Sequence, residues 1–111
     1  MSVPATDVRL VLTTAGSREE AERIARSLVD DRLAACVNLI PGLASIYRWE
    51  GKVENADETL LVIKTTAANL DSVASAISQL HSYEVPEFLV LTPEAASKPY
   101  REWLLSSVAL E

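Results

Sequence analysis

The stretch LAACVNLIPGLASIYRWE, residues 33–50, decides the fold that this sequence predicts. Residues 33–40 are almost continuously apolar, which is typical of a central strand covered on both faces. Pro41 and Gly42 interrupt this run, because proline has no backbone N–H for a strand ladder and glycine tolerates a bend. Residues 43–50 are extended again, so we predict one long kinked strand instead of two independent ones.

Three further strands are predicted around this one. Gly51 and Asn55 mark a turn after the kinked strand, and residues 58–66 (ETLLVIKTT) return as its antiparallel partner. Residues 7–14 (DVRLVLTT) alternate between two faces, as a strand does. Residues 87–92 (EFLVLT) form the final core strand.

Helical periodicity predicts three helices. Residues 17–31 carry one apolar stripe, and Ser17 and Glu20 at its start have the spacing of a capping box. Leu70, Val73, Ala74, Ile77 and Leu80 repeat at helical spacing, so we predict a second helix that begins near residue 66 or 69 and ends near residue 80. Residues 97–108 give a third, short amphipathic helix.

The order of elements is β-α-β-β-α-β with an extra C-terminal helix. Two right-handed crossovers with a hairpin between them give a ferredoxin-like α+β sandwich, in which two helices cover one face of an antiparallel sheet. The length of 111 residues and 49% hydrophobic content predict one folded domain over residues 1–111.

The second face of this sheet is expected to meet a partner. The strands are apolar on both faces, and Ile46, Tyr47 and Trp49 project from a hairpin that is longer than a lone subunit needs. Exposed apolar patches and free strand edges usually meet another chain, so we expect an oligomer. The alternative is that the C-terminal helix folds back and covers this face through Trp103 and Leu104.

The composition excludes several classes of function. Ten Lys and Arg against sixteen Asp and Glu give a formal charge of −6, which argues against sequence-independent binding to nucleic acid or anionic membranes. One cysteine and one histidine exclude an intrachain disulfide and a zinc site made from Cys and His of one chain. No secretory signal and no membrane-spanning apolar run is recognisable, so we expect a cytoplasmic protein.

The sequence carries no recognisable catalytic motif. Glycine occurs only at Gly16, Gly42 and Gly51, so neither phosphate-binding nor dinucleotide-binding loops are present. Cys36 lies in a continuous apolar strand, where a thiol behaves as a small inert hydrophobic group. Without a nucleophile paired to a base, we expect that the chain is not an enzyme.

Lys64 is a candidate for anion binding. It lies in an otherwise aliphatic strand, where a buried lysine needs a carboxylate or an anionic ligand beside it. Glu58 falls on the same face of that strand, too far along for direct contact. The alternative is a strand-end lysine whose ammonium group reaches water.

The loop after the second helix is a candidate metal site. It holds His81, Tyr83, Glu84 and Glu87 within seven residues, and imidazole and carboxylate suit first-row divalent metals. The alternative is an ordinary polar loop, since one chain supplies only one imidazole. In a symmetric oligomer each subunit would contribute its own set.

Several blocks together resemble the CutA divalent-cation tolerance family. They are AACVN at 34–38, IPG at 40–42, YRWEGK at 47–52, KT at 64–65, HSYEVPE at 81–87 and YREWL at 100–104. The resemblance implies a ferredoxin-like subunit in a homotrimer whose strands pair across subunit boundaries, similar in architecture to the PII signalling proteins. It also implies a cytoplasmic role in tolerance to metals, copper especially.

The resemblance also implies an inter-subunit cleft and its residues. Carried over by position, the cleft residues are Cys36, Tyr47, Trp49, Glu58, Lys64, Tyr83, Glu84, Glu87, Tyr100 and Trp103, with His81 as the metal ligand. Some metal-binding members have a cysteine where this chain has Thr13 and a second histidine where it has Leu80. Without that thiol and imidazole, we expect only weak binding of a divalent metal such as copper.

Three functions from different classes remain open. The first is a trimeric protein of metal response that binds divalent cations weakly through His81 and carboxylates. The second is a PII-like sensor that binds a small anionic metabolite beside Lys64, with Tyr47 and Trp49 as aromatic walls. The third is a rigid trimer that presents surfaces to an unidentified protein.

Overall fold

A computed structural model of the chain describes residues 2–109. In chain order, its strands and helices are β1 (Ser2–Pro4), β2 (Val8–Ala15), α1 (Arg18–Asp30), β3 (Cys36–Trp49), β4 (Lys52–Thr66), a 3-10 turn (Ala67–Asn69), α2 (Leu70–Leu80), β5 (Leu89–Leu91), β6 (Ala95–Ser97) and α3 (Lys98–Ser107). Among these residues no helix is both long and apolar enough to cross a lipid bilayer.

The main sheet has the order β3-β4-β2-β5, and every neighbouring pair is antiparallel. This order, with a helix in each of the two crossovers, confirms the predicted ferredoxin-like α+β sandwich with a C-terminal helix. A second, two-stranded sheet pairs β1 with β6. The prediction missed it, because neither segment has the alternating apolar pattern that marks a longer strand.

The core lies between the main sheet and the pair α1 and α2. Its fully buried members come from both layers and include Val11, Ile24, Leu28, Leu61, Ile63, Val73 and Ile77. On the opposite face, α3 buries Leu104 against Ala5 and Val8 at one end of the sheet. The C-terminal helix therefore folds back onto this face through Leu104, as the alternative had it, but Trp103 remains 46% exposed and Leu89 57% exposed, so the helix covers only part of the face. We call this second sheet face the open face.

The kink in β3 is a β-bulge, and it decides on which sheet face the later side chains of β3 lie. The register moves from Ile40 opposite Leu60 to Leu43 opposite Glu58, so β3 has one extra residue at this point. Gly42 takes up the bend with φ +79°, in the left-handed region that favours glycine. Because side chains alternate along a strand, the extra residue exchanges the two faces of β3 beyond the bulge.

The hairpin between β3 and β4 is longer and tighter than predicted. Glu50 and Gly51 both have positive φ, 49° and 80°, as in a type I′ turn, which matches the twist of the flanking strands. Asn55 does not belong to the turn, which corrects the prediction, because it lies in β4 opposite Ile46. β4 therefore starts at Lys52 instead of residue 58.

Two other strand boundaries differ from the predictions. β3 begins at Cys36 and not at residue 33, because the backbone N–H groups of Leu33 and Ala34 donate to the carbonyl of Leu28 and complete the end of α1. β5 covers only Leu89–Leu91 of the predicted 87–92.

Candidate functional site

A cavity of about 700 Å³ opens on the outer part of the open face, between the β3–β4 hairpin and residues 83–87. We call it the hairpin cavity. Strand, hairpin and loop each contribute to its wall, which consists of Thr14, Ser45, Ile46, Tyr47, Trp49, Glu58, Tyr83, Glu84, Val85, Pro86 and Glu87.

The bulge in β3 brings the aromatic side chains to this cavity. Leu43 and Glu58 are opposite each other, and alternation from this pair puts Tyr47 and Trp49 on the same sheet face as Glu58. Without the extra residue at positions 41–42, these two aromatic side chains would point to the other face. The IPG block is thus a requirement of the site as well as of the fold.

His81 fixes the loop that forms the other wall. Its Nδ1 accepts the backbone N–H of Tyr83 at 3.0 Å, so Nδ1 carries no proton. The other ring nitrogen, Nε2, therefore carries the proton and donates it to the carbonyl of Thr14 at 2.7 Å. His81 is 9% exposed and lies behind the cavity wall, where both of its nitrogens hold the loop in place.

Glu20 anchors the same loop from α1. Ser17 caps the helix as predicted, with its Oγ accepting the N–H of Glu20 at 3.2 Å. The carboxylate of Glu20 instead accepts the N–H of Ser82 at 2.7 Å and the hydroxyl of Ser82 at 3.1 Å. Burial raises the pKa of Glu20, but the two hydrogen bonds from Ser82 outweigh it and leave the pKa below its ordinary value.

Tyr83 connects the loop to β4. Its hydroxyl donates to a carboxylate oxygen of Glu58 at 2.8 Å, and its ring lies 4.6 Å from the ring of His81. Burial and the hydrogen bond to Glu58 raise the pKa of the Tyr83 hydroxyl. Gly16 permits this close approach, because a Cβ at that position would lie 3.1 Å from the Tyr83 hydroxyl oxygen.

The electrostatic character of the hairpin cavity is acidic. Glu58, Glu84 and Glu87 line it, and its wall, built from residues within the described range 2–109, has no Lys, Arg or His. Burial and the nearby charge of Glu58 raise the pKa of Glu87 above its ordinary value. No positively charged side chain in the cavity wall therefore compensates these carboxylates.

A second, smaller cavity of about 270 Å³ lies at the other end of the open face, and Lys64, Tyr100 and Arg101 are in its wall. The ammonium nitrogen of Lys64 lies 5.7 Å from the centre of the Tyr100 ring. Arg101 pairs with Asp7 at 2.8 Å. This is the basic cavity.

The structure divides the predicted cleft residues of a single chain between these places. Six of them line the hairpin cavity, namely Tyr47, Trp49, Glu58, Tyr83, Glu84 and Glu87. Lys64 and Tyr100 line the basic cavity. Cys36 lies opposite Lys64 in the register of β3 and β4, and Trp103 packs against Tyr100 with ring centres 5.4 Å apart. Tyr47 and Trp49 are thus not beside Lys64 within one chain.

Sequence reasoning missed the supporting role of Glu20 and Ser82. The capping-box spacing predicted that Glu20 would accept a hydrogen bond at the start of its own helix. Its observed partner, Ser82, lies 62 residues away, and no local sequence pattern indicates such a contact. The one signal available was the position of Ser82 next to His81, inside the loop already singled out.

The side chains do not form a ready metal site within one chain. Among residues 2–109 there is no group of three or more His, Cys, Asp and Glu placed to hold a metal ion. Both nitrogens of His81 are occupied by hydrogen bonds. Thr13 is fully buried in the core on the helix-covered face, and Leu80 is 42% exposed at the end of α2.

Comparison with known proteins identifies relatives of the whole fold. The family model described as CutA1 divalent ion tolerance protein matches residues 9–107. The divalent-cation tolerance protein CutA of Thermus thermophilus is 45% identical over 95 residues, which are 86% of this chain and 92% of that protein. The chloroplastic protein CutA of Arabidopsis thaliana is 42% identical over 98 residues, 88% of this chain, but the match spans only 54% of that protein.

Solved structures agree with this match. The structure of CutA from Synechococcus elongatus has a TM-score of 0.93 and 40% sequence identity, and the alignment covers 98% of this chain and 96% of that one.

Proposed function

This chain belongs to the CutA1 divalent ion tolerance family, and from that premise we propose that it works as a cytoplasmic homotrimer in tolerance to divalent cations, copper among them. The observation that carries the proposal is the apolar open face, which one copy leaves largely uncovered. Leu89 is 57% and Leu91 47% exposed there, and the outer side of β5 has no neighbouring strand among residues 2–109. Such edges are stabilised by pairing with another chain.

The shape of the subunit supports association as well. Its radius of gyration is 14.7 Å, against about 13 Å for a compact domain of about this size. The β3–β4 hairpin exposes Ile46 by 76% and Val53 by 65%. Val53 lies outside the hairpin cavity, whereas Ile46 is part of its wall, so a neighbouring copy that covers the hairpin also reaches the cavity. A cyclic arrangement of three copies, which the family resemblance implies, closes such heterologous contacts.

Metal binding is proposed to be weak and to require a rearrangement at His81. A metal ion must take a lone pair from Nδ1 or replace the proton on Nε2, so one of the hydrogen bonds to Tyr83 and Thr14 is lost. Losing such a bond costs about 1 kcal/mol. Carboxylates of the same loop, Glu84 and Glu87, are available as further ligands.

Calorimetric titration with copper tests this part of the proposal. We expect weak binding heat in the unaltered protein and none in His81→Gln, because glutamine can keep a hydrogen bond to Thr14 but has no imidazole. Lys64→Ala is the control and should keep the copper heat. Equal heat in His81→Gln and in the unaltered protein would exclude His81 as the ligand.

A second candidate function is favoured by the basic cavity. Lys64 has no ion pair among residues 2–109. Arg101, which is already paired with Asp7, lies in the same wall, so a small anionic metabolite would find one unpaired cation there. Thermal shift with phosphate and small organic acids tests this candidate, with Lys64→Ala and His81→Gln as the two variants. If thermal stabilisation by phosphate or small organic acids is seen, it should disappear in Lys64→Ala and persist in His81→Gln.

The remaining parts of the proposal follow from composition and resemblance. We propose that the protein is not an enzyme, because its sequence shows no nucleophile paired to a base. We also propose that it binds neither nucleic acid nor membranes, because its formal charge is −6. We also propose that the trimer presents surfaces to another protein, which is unidentified.

A further inference from the structure

We propose that Arg32 and Asn69 form a clasp that holds the C-terminal end of α3 on the open face, and that opening this clasp releases α3 as a unit. The contacts of the clasp are hydrogen bonds within one chain. The inference therefore requires neither a neighbouring copy nor a bound metal or anion, and it goes beyond the function proposed above.

Arg32 occupies a backbone position that is unfavourable for arginine. Its φ of 59° lies in the left-handed region, and it directly follows Asp31, the C-cap of α1. Glycine or asparagine is usual at this position after a helix, because a side chain with a Cβ is strained there. The contacts of the Arg32 side chain explain why an arginine stands here.

The side chain of Arg32 caps the last turn of α3. Its Nη2 donates to the carbonyl of Ser106 at 2.9 Å, and its Nε donates to the carbonyl of Ser107 at 3.4 Å. The last turn of α3 has no basic residue of its own, so the guanidinium supplies the positive charge that stabilises a helix C-terminus. With ten residues, α3 is shorter than the about 12–15 that a helix needs to be stable alone, so it depends on such contacts.

The backbone of Ala109 completes the clasp with two further hydrogen bonds. Its N–H donates to the carbonyl of Arg32 at 2.7 Å, and its carbonyl accepts from Nδ2 of Asn69 at 3.1 Å. Asn69 is fully buried, and the same Nδ2 donates to Thr66 Oγ1 at 2.8 Å, so both amide hydrogens are used. The clasp thus joins the end of α1 and the start of α2 to the residues at the end of α3.

The other contacts of α3 are weak or depend on the clasp. Val108 is buried and lies between the two residues that the clasp holds on either side of it, so it leaves its place when the clasp opens. Leu104, one turn earlier, packs against Val8. The pair of Arg101 and Asp7 lies at the surface, where ion pairs stabilise little. The closed clasp therefore keeps this end of the open face covered, and opening uncovers it.

Hydrogen exchange of the full-length Arg32→Gly protein, measured by mass spectrometry, tests the proposal. Glycine relieves the left-handed backbone and removes the guanidinium, so the two ends that Arg32 joins should respond differently. We expect the protection of the amides in α3 to fall about tenfold or more, because two hydrogen bonds are lost. The last turn of α1 should keep or gain protection. Arg32→Lys keeps the charge but not the planar fork of donors, and it should show a smaller fall confined to α3.

Trypsin gives a second measurement, because Arg101 lies inside α3 and the bond after it is cleaved only when the helix opens. Cleavage there should be about tenfold faster in Arg32→Gly. Arg26→Ala removes the same charge from an exposed position in α1 and should change neither readout. If Arg32→Gly does not fold, Arg32→Lys decides.

Three results would overturn the proposal. The first is unchanged protection of α3 in both Arg32 variants. The second is an equal fall across α1, α3 and the main sheet, which would mean a general loss of stability. The third is the same effect in Arg26→Ala.

Discussion

Replacing Leu89 and Leu91 together by lysine is expected to turn the proposed homotrimer into a folded monomer. Both side chains are about half exposed in one copy, 57% and 47%, so the subunit itself loses little. In an assembled protein the two new ammonium groups would be buried without partners, which costs several kcal/mol per charge. Sedimentation should then give one third of the mass of the unaltered protein, with an unchanged circular dichroism spectrum.

A matched variant on the other side of the molecule serves as the control. Val29 and Leu80 are 40% and 42% exposed and lie on α1 and α2, away from the open face. Changing both to lysine introduces the same charge at similar exposure and should leave the assembly intact. If the Leu89 and Leu91 variant stays associated, or the control dissociates, the open face is not the interface.

His81→Ala is expected to lower the free energy of unfolding by about 2–3 kcal/mol. The substitution removes a buried ring, an acceptor for the N–H of Tyr83 and a donor to the carbonyl of Thr14, and the backbone groups lose their partners. Urea unfolding at one fixed protein concentration measures the change, because association contributes to the stability of an oligomer.

Two comparisons make this result specific to the hydrogen bonds. His81→Gln should lose less stability, since it retains a group that can donate to Thr14. Leu80→Ala, at the neighbouring exposed position, should change stability by less than about 0.5 kcal/mol. A loss below about 0.5 kcal/mol in His81→Ala would mean that the imidazole does not support the loop, and its role as a metal ligand would gain weight.

The main sheet and the helices that cover it could be predicted because apolar residues recur at strand or helix spacing in their sequences. The apolar run of β3, the alternation of β2 and the stripe of α1 each depend on neighbours in sequence, and their order leaves few topologies. The strand boundaries were harder. Residues 33–35 have the composition of a strand, but Leu33 and Ala34 complete the end of α1, and apolar composition cannot distinguish the two.

The candidate site was predictable in its residues and less so in its geometry. The blocks that resemble the CutA family contain five of the six predicted residues of the hairpin cavity, and Glu58 lies between two blocks. That these side chains lie on one sheet face, however, depends on the single extra residue at the Pro41–Gly42 bulge. The Pro-Gly pair predicts a break in the strand, but it does not show how many residues the bulge adds. The separation of Lys64 from Tyr47 and Trp49 follows from distance along β4, which alternation alone does not reveal.

The function of His81 illustrates the same limit. Its residue type and neighbours indicate a metal site, but its hydrogen bonds to residues 14 and 83 make it a support for the loop. The partner at residue 14 lies 67 positions away, and no local pattern identifies it.

The proposed trimer requires that the open face joins copies of this chain. Sedimentation equilibrium of the unaltered protein at micromolar concentration measures this directly. We predict a single species of three times the subunit mass of 12.1 kDa. A single species at the mass of one subunit would contradict the claim.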